Sequence, residues 1–328
     1  MGITDIRIPD QIIYFVAAFA LALLSGAILI PFLRRLKFGQ TIRDDGPKTH
    51  LVKQGIPTMG GFMFLVPLVI IGGYFALTDK NMAALVLTTL GFGAVGFIDD
   101  FLKIKRKSKD GLKPKQKIIG LLVVSACFTA YVVTMTDCGN KTVIPFIGLD
   151  NPLTVPIFLF IPFCLFMLLS YTNAVNLTDG VDGLAGSITM IVLVFFTVVS
   201  MLNSEWNSIK LFCAILSGGC LGFLAYNLYP AKVIMGDIGS LALGGAVASV
   251  SILLQMPFIL VIAGMVYFIE NISVILQVAY FKKTGKRIFK MAPIHHHFEL
   301  SGWKETKVVT VFLISTVIFC AIAFYALR

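Results

Sequence analysis

Charge is what this chain has least of: 13% of its 328 residues are Asp, Glu, Lys or Arg, against 57% hydrophobic. Soluble domains carry about 25% charged and about 45–50% apolar residues, so the deficit excludes an ordinary soluble fold and a disordered chain alike. No CxxC spacing occurs among the six cysteines, and five of them lie in apolar runs. That excludes a disulfide framework or thiolate metal cluster and leaves cysteine as a small buried hydrophobe. HExxH and H-x3-H pairs are also missing, which removes the common helical zinc site. The N-terminus has neither the basic segment nor the small-residue cleavage site of a signal peptide, so its first apolar run is expected to be retained. Internal repeats and low-complexity tracts are absent.

What the sequence does have is long apolar runs. A bilayer core takes about 20 apolar residues per helix, and ten candidate spans follow: 12–33, 58–77, 82–98, 117–135, 155–173, 184–202, 208–226, 239–256, 258–281 and 307–327. A tight turn at Gln255-Met256-Pro257 divides the eighth from the ninth. Pro67 and Pro162 fall inside spans and are expected to kink them. The longest gaps, 34–57 and 282–306, leave no room for a soluble domain, so residues 1–328 read as one all-α polytopic membrane domain.

The net charge is +10. In a soluble chain that surplus would suggest nucleic acid; here the basic residues sort by membrane face, and no nucleic-acid partner is expected. Alternate loops hold 22 of the 27 Lys and Arg, in segments 34–53, 103–117, 232 and 282–307. Basic loops are cytoplasmic, so an even number of spans puts both termini on the exoplasmic side. Asp99, Asp100, Asp179, Asp182 and Asp237 gather at the same cytoplasmic face, and only Glu270 lies mid-span. An ion or solute pathway concentrates ionisable groups near the midplane and often shows repeat symmetry. A site at one face suits a water-soluble anion meeting a lipid instead.

Four blocks carry the chemistry. Gly96-Phe97-Ile98-Asp99-Asp100 ends a span, where the helix dipole disfavours carboxylates, and neighbouring residues diverge by about 100°, so the two aspartates are expected to have separate roles. Asn173 to Gly186 holds two Asn and two Asp among glycines. One helix cap needs only one such residue, and the excess suits hydrogen bonds to a ribose, base or phosphate. Asp237, in Met235-Gly236-Asp237, is placed to cap the next span. It becomes a Mg2+ ligand only beside a phosphate substrate, because Mg2+ uses one or two carboxylates plus phosphates and water. The fourth block, Met291 to Glu299, contains His295, His296 and His297. Adjacent histidines diverge too far for zinc, but beside lysines they suit phosphate oxygens. Lys48, alone, reads as a surface charge, and the mid-span pair Glu270-Asn271 has either a buried or a groove-lining role.

These blocks, in this order from Pro47 to Glu299, resemble the phospho-N-acetylmuramoyl-pentapeptide transferase family, within the wider polyprenyl-phosphate sugar-1-phosphate transferases. Pro57-Thr58-Met59-Gly60-Gly61 and Ala292-Pro293-Ile294-His295-His296-His297-Phe298-Glu299 carry the narrower likeness. The resemblance implies ten spans in the bacterial inner membrane, a homodimer and a Mg2+-dependent reaction. In it, phospho-MurNAc-pentapeptide passes from UDP-MurNAc-pentapeptide to undecaprenyl phosphate, forming lipid I and releasing UMP. It implies Asp237 as the Mg2+ ligand, Asp99 as the base on the lipid phosphate, and Asp100 and His295 as supporting catalytic groups. Gly180, Val181 and Asp182 would meet the nucleoside, with Asn176, Asp179 and Asn227 nearby and Lys48, Lys107 and Lys115 on the uridine-diphosphate portion. Ile234 departs from the Phe usual in the family before Met-Gly-Asp, which bears on stacking against uracil. A direct transfer and a covalent phospho-aspartate route both remain open at this point. A related GlcNAc-1-phosphate transferase and an anion transporter are the competing readings; the triple-His string argues against the first, and a single midplane charge, Glu270, without repeats against the second.

Overall fold

The computed structural model describes residues 8–36, 55–106, 108, 110–136, 138–149 and 151–328. Among these, eight helices are long and apolar enough to cross a bilayer. A ninth crossing is reached if one bent pair counts as a single span, and Phe62–Ala76 forms a shorter apolar stretch. The architecture is that of a helical, polytopic membrane protein. Large apolar side chains point outward from the bundle, with Ile28 75%, Leu77 82% and Phe158 73% exposed. Such a surface would be a liability in water and is the natural one against lipid tails.

Helix α1 (Asp10–Arg35) begins with Asp10 and ends on Arg34 and Arg35, charges that match its dipole. Pro67 closes α2 (Phe62–Pro67); the chain then widens into a π-helical turn, Leu68–Gly72, before α3 (Gly73–Ala76). The break fits a residue that cannot donate to the helical ladder. Helix α4 (Lys80–Arg106) runs well past the expected 82–98. Lys103 lies three and four residues after Asp100 and Asp99 and pairs with both, a spacing that supports helix. Lys103, Lys105 and Arg106 also suit the last turn. Asp99 and Asp100 therefore sit inside the helix rather than at its end.

Next come α5 (Pro114–Met135), α6 (Ile157–Thr178), α7 (Leu184–Val199) and α8 (Asn207–Asn227). Helix α6 continues unbroken through Pro162. Helix α9 (Gly236–Leu253) is the centre of the bundle: every residue from Ile238 to Leu253 is buried, and it packs on α4 and α6. Its many Gly, Ala and Ser let neighbouring backbones approach closely, as membrane helices require. The turn after it, with Gln255 at φ 59, leads to Pro257 at the start of α10 (Pro257–Ala263).

The expected single span 258–281 is instead broken: α10 and α11 (Met265–Thr284) meet at 83°. Gly264 stands at the break with non-helical backbone, and a Cβ there would lie 2.9 Å from the Leu260 carbonyl oxygen. Helices α12 (Ile294–Glu299) and α13 (Glu305–Tyr325) complete the chain. A two-residue antiparallel ribbon, β1 (Lys141–Thr142) with β2 (Leu153–Thr154), departs from the helical pattern. It lies at the end of the bundle where Val143 bonds Gln255, away from the aspartates. All six cysteines are free thiols; Cys164, Cys213, Cys220 and Cys320 are buried, whereas Cys127 is exposed.

Candidate active site

The last third of α4 crosses the first turn of α9 at near-contact distance. Gly96 makes this possible: a Cβ there would stand 2.1 Å from the Asp237 carbonyl oxygen. The crossing brings Asp99, Asp100 and Asp237 together, each offering a carboxylate oxygen within 4.8 Å of the others. Asp237 does not cap its helix. Met235 occupies that position without a side-chain bond, and the Asp237 carboxylate turns towards α4. The divergence expected of Asp99 and Asp100 is overcome because the third carboxylate arrives from a different helix, between them.

Every one of the three carboxylates has one oxygen held by an uncharged donor. The backbone N–H of Leu112 donates to Asp99 Oδ1 at 2.7 Å, that of Ile238 to Asp100 Oδ2 at 3.1 Å, and the Asn176 amide to Asp237 Oδ1 at 2.9 Å. The other three oxygens converge on one ammonium group. Lys103 Nζ is 2.6 Å from Asp99 Oδ2, 3.7 Å from Asp100 Oδ1 and 3.0 Å from Asp237 Oδ2. Lys117 adds a second contact to Asp237 Oδ2 at 2.8 Å. Asp99 and Asp100 are buried, so carboxylates that outnumber ammonium groups three to two are held in a poorly solvated place. Hard oxygen donors converging on one point are what a small divalent cation needs.

Lys103 and Lys117 were not singled out by sequence. The spacing of Lys103 from the aspartate pair was the available signal; Lys117 is one of eight basic residues between 103 and 117, and nothing local distinguishes it. Lys115 is exposed at the start of α5. Lys48 and Lys107 lie outside the described residues.

The Asn173–Gly186 block forms the end of α6 and the turn into α7. Asn176 bridges Asp237 and Ser240, the latter at 2.8 Å. Asp179 follows the last turn of α6, and Val181 points into the core. Gly183, at φ 80, precedes α7 with no side-chain cap, so neither Asp179 nor Asp182 serves as one. Asp182 accepts the Ala231 N–H at 3.0 Å, while its own N–H donates to Glu305 Oε1 at 2.8 Å. Asn227 accepts the Gly183 N–H at 3.0 Å and donates to the Val233 carbonyl at 2.9 Å. These residues tie the 179–183 turn to the 228–236 loop. Within that loop, Ile234 is half-buried and its N–H donates to the Pro57 carbonyl.

Only His297 turns away from the other two; His295 and His296 lie side by side, ring centroids 4.1 Å apart, contrary to the divergence expected of adjacent histidines. His295 is fully buried, with Nδ1 3.0 Å from Glu270 Oε2. His296 Nδ1 is 2.8 Å from Glu299 Oε2, and His297 Nδ1 accepts the Lys290 N–H at 3.1 Å. Gly180 lies directly over the first two: a Cβ would be 2.3 Å from His295 Nε2 and 3.2 Å from His296 Nε2. His295 and His296 thus face the 179–183 turn, and His297 packs on Phe289 and Phe298. Of the two roles open to Glu270 in the sequence the buried one holds; its partner is only apparent once α12 folds back onto α11.

Residues 82–255 match the model of glycosyl transferase family 4. The phospho-N-acetylmuramoyl-pentapeptide-transferase of Acetivibrio thermocellus is 54% identical over 322 residues, covering 98% of this chain and 97% of that protein. Its namesake from Clostridium perfringens strain 13 is 51% identical, covering 97% and 99%, and that from Clostridium botulinum strain Alaska E43 is 47% identical, covering 99% of each. Identity of this extent along the whole length, with the acidic and triple-His blocks in place, means that the chain belongs to the phospho-N-acetylmuramoyl-pentapeptide transferase family.

Proposed function

We propose that the protein transfers phospho-MurNAc-pentapeptide from UDP-MurNAc-pentapeptide to undecaprenyl phosphate, forming lipid I and releasing UMP. The observation that carries this reading is the convergence of Asp99, Asp100 and Asp237 from two helices, flanked by Lys103 and Lys117. Phosphoryl transfer asks a protein for alignment and charge neutralisation more than for covalent chemistry.

In the proposed reaction an oxygen of the lipid phosphate attacks the β-phosphorus of the donor, and the bond from that phosphorus to the UMP oxygen breaks. Asp99 Oδ1 is occupied by the Leu112 N–H, which leaves Oδ2 to orient the acceptor and to take its proton where one is present. Lys103 and Lys117 turn from the carboxylates to phosphate oxygens as substrate arrives. Asp237 Oδ2 would be the primary Mg2+ ligand, with Asp100 Oδ1 beside it; when bound, the ion would neutralise the diphosphate and the charge gathering on departing UMP. Asp100 holds the α9 terminus through the Ile238 N–H and so fixes Asp237. Gly180, Asp179 and the backbone of Val181 and Asp182 meet the nucleoside, with Asn176 and Asn227 shaping that turn. His295 and His296 contact phosphate oxygens, and Lys48, Lys107, Lys115 and His297 belong to the outer substrate shell.

We also take the chain to cross the bacterial inner membrane ten times, counting Phe62–Ala76 and the bent α10–α11 pair as spans. Both termini are then exoplasmic, and the site faces the cytoplasm among the basic loops. A homodimer is the working unit that the family resemblance implies. The test is UMP release by purified full-length protein given undecaprenyl phosphate, Mg2+ and either UDP-MurNAc-pentapeptide or UDP-GlcNAc. Turnover of the first donor alone is expected; turnover of UDP-GlcNAc alone points to the GlcNAc-1-phosphate branch and overturns the assignment.

A further inference from the structure

Glu270 has no part in the reaction as drawn above, yet it is fully buried in a membrane helix. Burying a carboxyl group there is expensive unless it is well partnered. Among the described residues its carboxylate makes one hydrogen bond, from Oε2 to Nδ1 of the equally buried His295 at 3.0 Å. The outer atoms of the pair, Glu270 Oε1 and His295 Nε2, have no hydrogen-bond partner among the described residues. A purely structural pair would gain from satisfying those atoms, and apolar residues of similar volume commonly serve stability as well or better. The pair is arranged instead to hold one atom in place: His295 Nε2, on the far side of the ring from Glu270, is aimed at Gly180. The 83° bend between α10 and α11 is what brings Glu270 against α12.

We infer that Glu270 is a positioning residue for His295. By accepting the Nδ1–H it sets the ring tautomer and orientation, leaving the Nε2 lone pair to accept the O–H of a monoprotonated substrate phosphate at the 179–183 turn. Gly180, bare of a Cβ, lets the ring lie this close to the turn. Carboxylate partners fix imidazole tautomers in the same way at hydrolase triads and metal-bound histidines. The inference rests on the reading of His295 as a phosphate-contacting group.

The test combines two measurements on full-length, detergent-solubilised protein: UMP-release kinetics and two-bond 15N–1H spectra of histidine-labelled samples. The chain has four histidines, so His295→Ala identifies the His295 signal. Wild type should show His295 protonated on Nδ1. Glu270→Leu should move the proton towards Nε2 and lower kcat by about 100-fold, with KM for the nucleotide-sugar changed less than about threefold. Glu270→Gln, whose amide oxygen can still accept the Nδ1–H, should keep the tautomer and lose less than about tenfold of kcat. If Glu270→Leu does not fold, Glu270→Asp withdraws the acceptor by one methylene and should shift tautomer and kcat in the same direction. An unchanged His295 spectrum and kcat in the Leu or Asp variant overturns the positioning role while leaving His295 in place. Full turnover by His295→Ala overturns the reading of His295 itself, and the role of Glu270 with it.

Discussion

Lys103 on α4 and Asp237 on α9 are 134 residues apart in sequence and 3.0 Å apart in the fold. The same ammonium group reaches Asp99 and Asp100, so one lysine is the common counter-charge of the whole acidic cluster. It stands where a divalent cation would serve the same purpose, and removing it should expose the mutual repulsion of the carboxylates. Lys103→Gln is expected to lower the melting temperature in the absence of divalent cations, with much of the deficit recovered on adding Mg2+. UMP release should fall by about 100-fold, the usual cost of one lost charge-stabilising donor. Thermal unfolding with and without Mg2+ checks this; equal deficits in both conditions would show that the cation and Lys103 do not share a site.

Gly180 is sterically committed. A Cβ at 2.3 Å from His295 Nε2 and 2.9 Å from Cε1 must displace the imidazole, which Glu270 holds from behind. Gly180→Ala is expected to fold normally and to lose about 100-fold of kcat, the scale of a misplacement of about 1 Å in a reacting group. Steady-state UMP release, with circular dichroism to establish folding, is the check.

How much of this was legible in the sequence depends on whether the cause was local. The apolar runs, the four polar blocks and the placement of Asp99, Asp100, Asp179, Asp182 and Asp237 at one end of the spans could be read directly, because hydropathy and charge are local properties; the meeting of Asp237 with Asp99 and Asp100 at one point could not. The extension of α4 to Arg106 had a local signal in the spacing of Lys103 from Asp99 and Asp100, but hydropathy, which drops at the aspartates, hides it. The break at Gly264 could not be read either: in lipid an apolar run looks alike whether straight or bent. Lys117 was hidden among equivalent lysines. The partner of Glu270 comes from a segment 25 residues later in the chain, and no periodicity within α11 points to it.

Asn227 has both ends of its amide used internally, to Gly183 N–H and the Val233 carbonyl. Asn227→Ala would leave those two buried backbone groups without a partner. The expected loss is about 2 kcal/mol of stability, together with weaker nucleotide binding as the 179–183 turn loosens. Asn227→Asp keeps the acceptor for Gly183 and should be the milder variant for that turn. Thermal unfolding of the two variants distinguishes these effects.

The proposed orientation gives opposite outcomes for two exposed lysines. In spheroplasts, with Cys138→Ser as background, Lys80→Cys should be labelled by a membrane-impermeant maleimide from outside. Lys286→Cys should be labelled only after permeabilisation. Labelling of Lys286→Cys in intact spheroplasts would place the basic loops on the exoplasmic side and invert the topology.

Mn2+ binding to the full-length protein, counted by electron paramagnetic resonance in wild type and in Asp237→Asn, tests the acidic cluster most directly. Asp237 is the one carboxylate contributed by α9, and its replacement by Asn keeps the size of the side chain while removing the charge and turning one acceptor oxygen into a donor. Wild type is expected to show one saturable site, strengthened by UDP-MurNAc-pentapeptide, and the folded variant to lose that site along with UMP release. Unchanged Mn2+ affinity in Asp237→Asn would mean that the cation is held elsewhere and that the meeting of α4 with α9 is not the reaction centre.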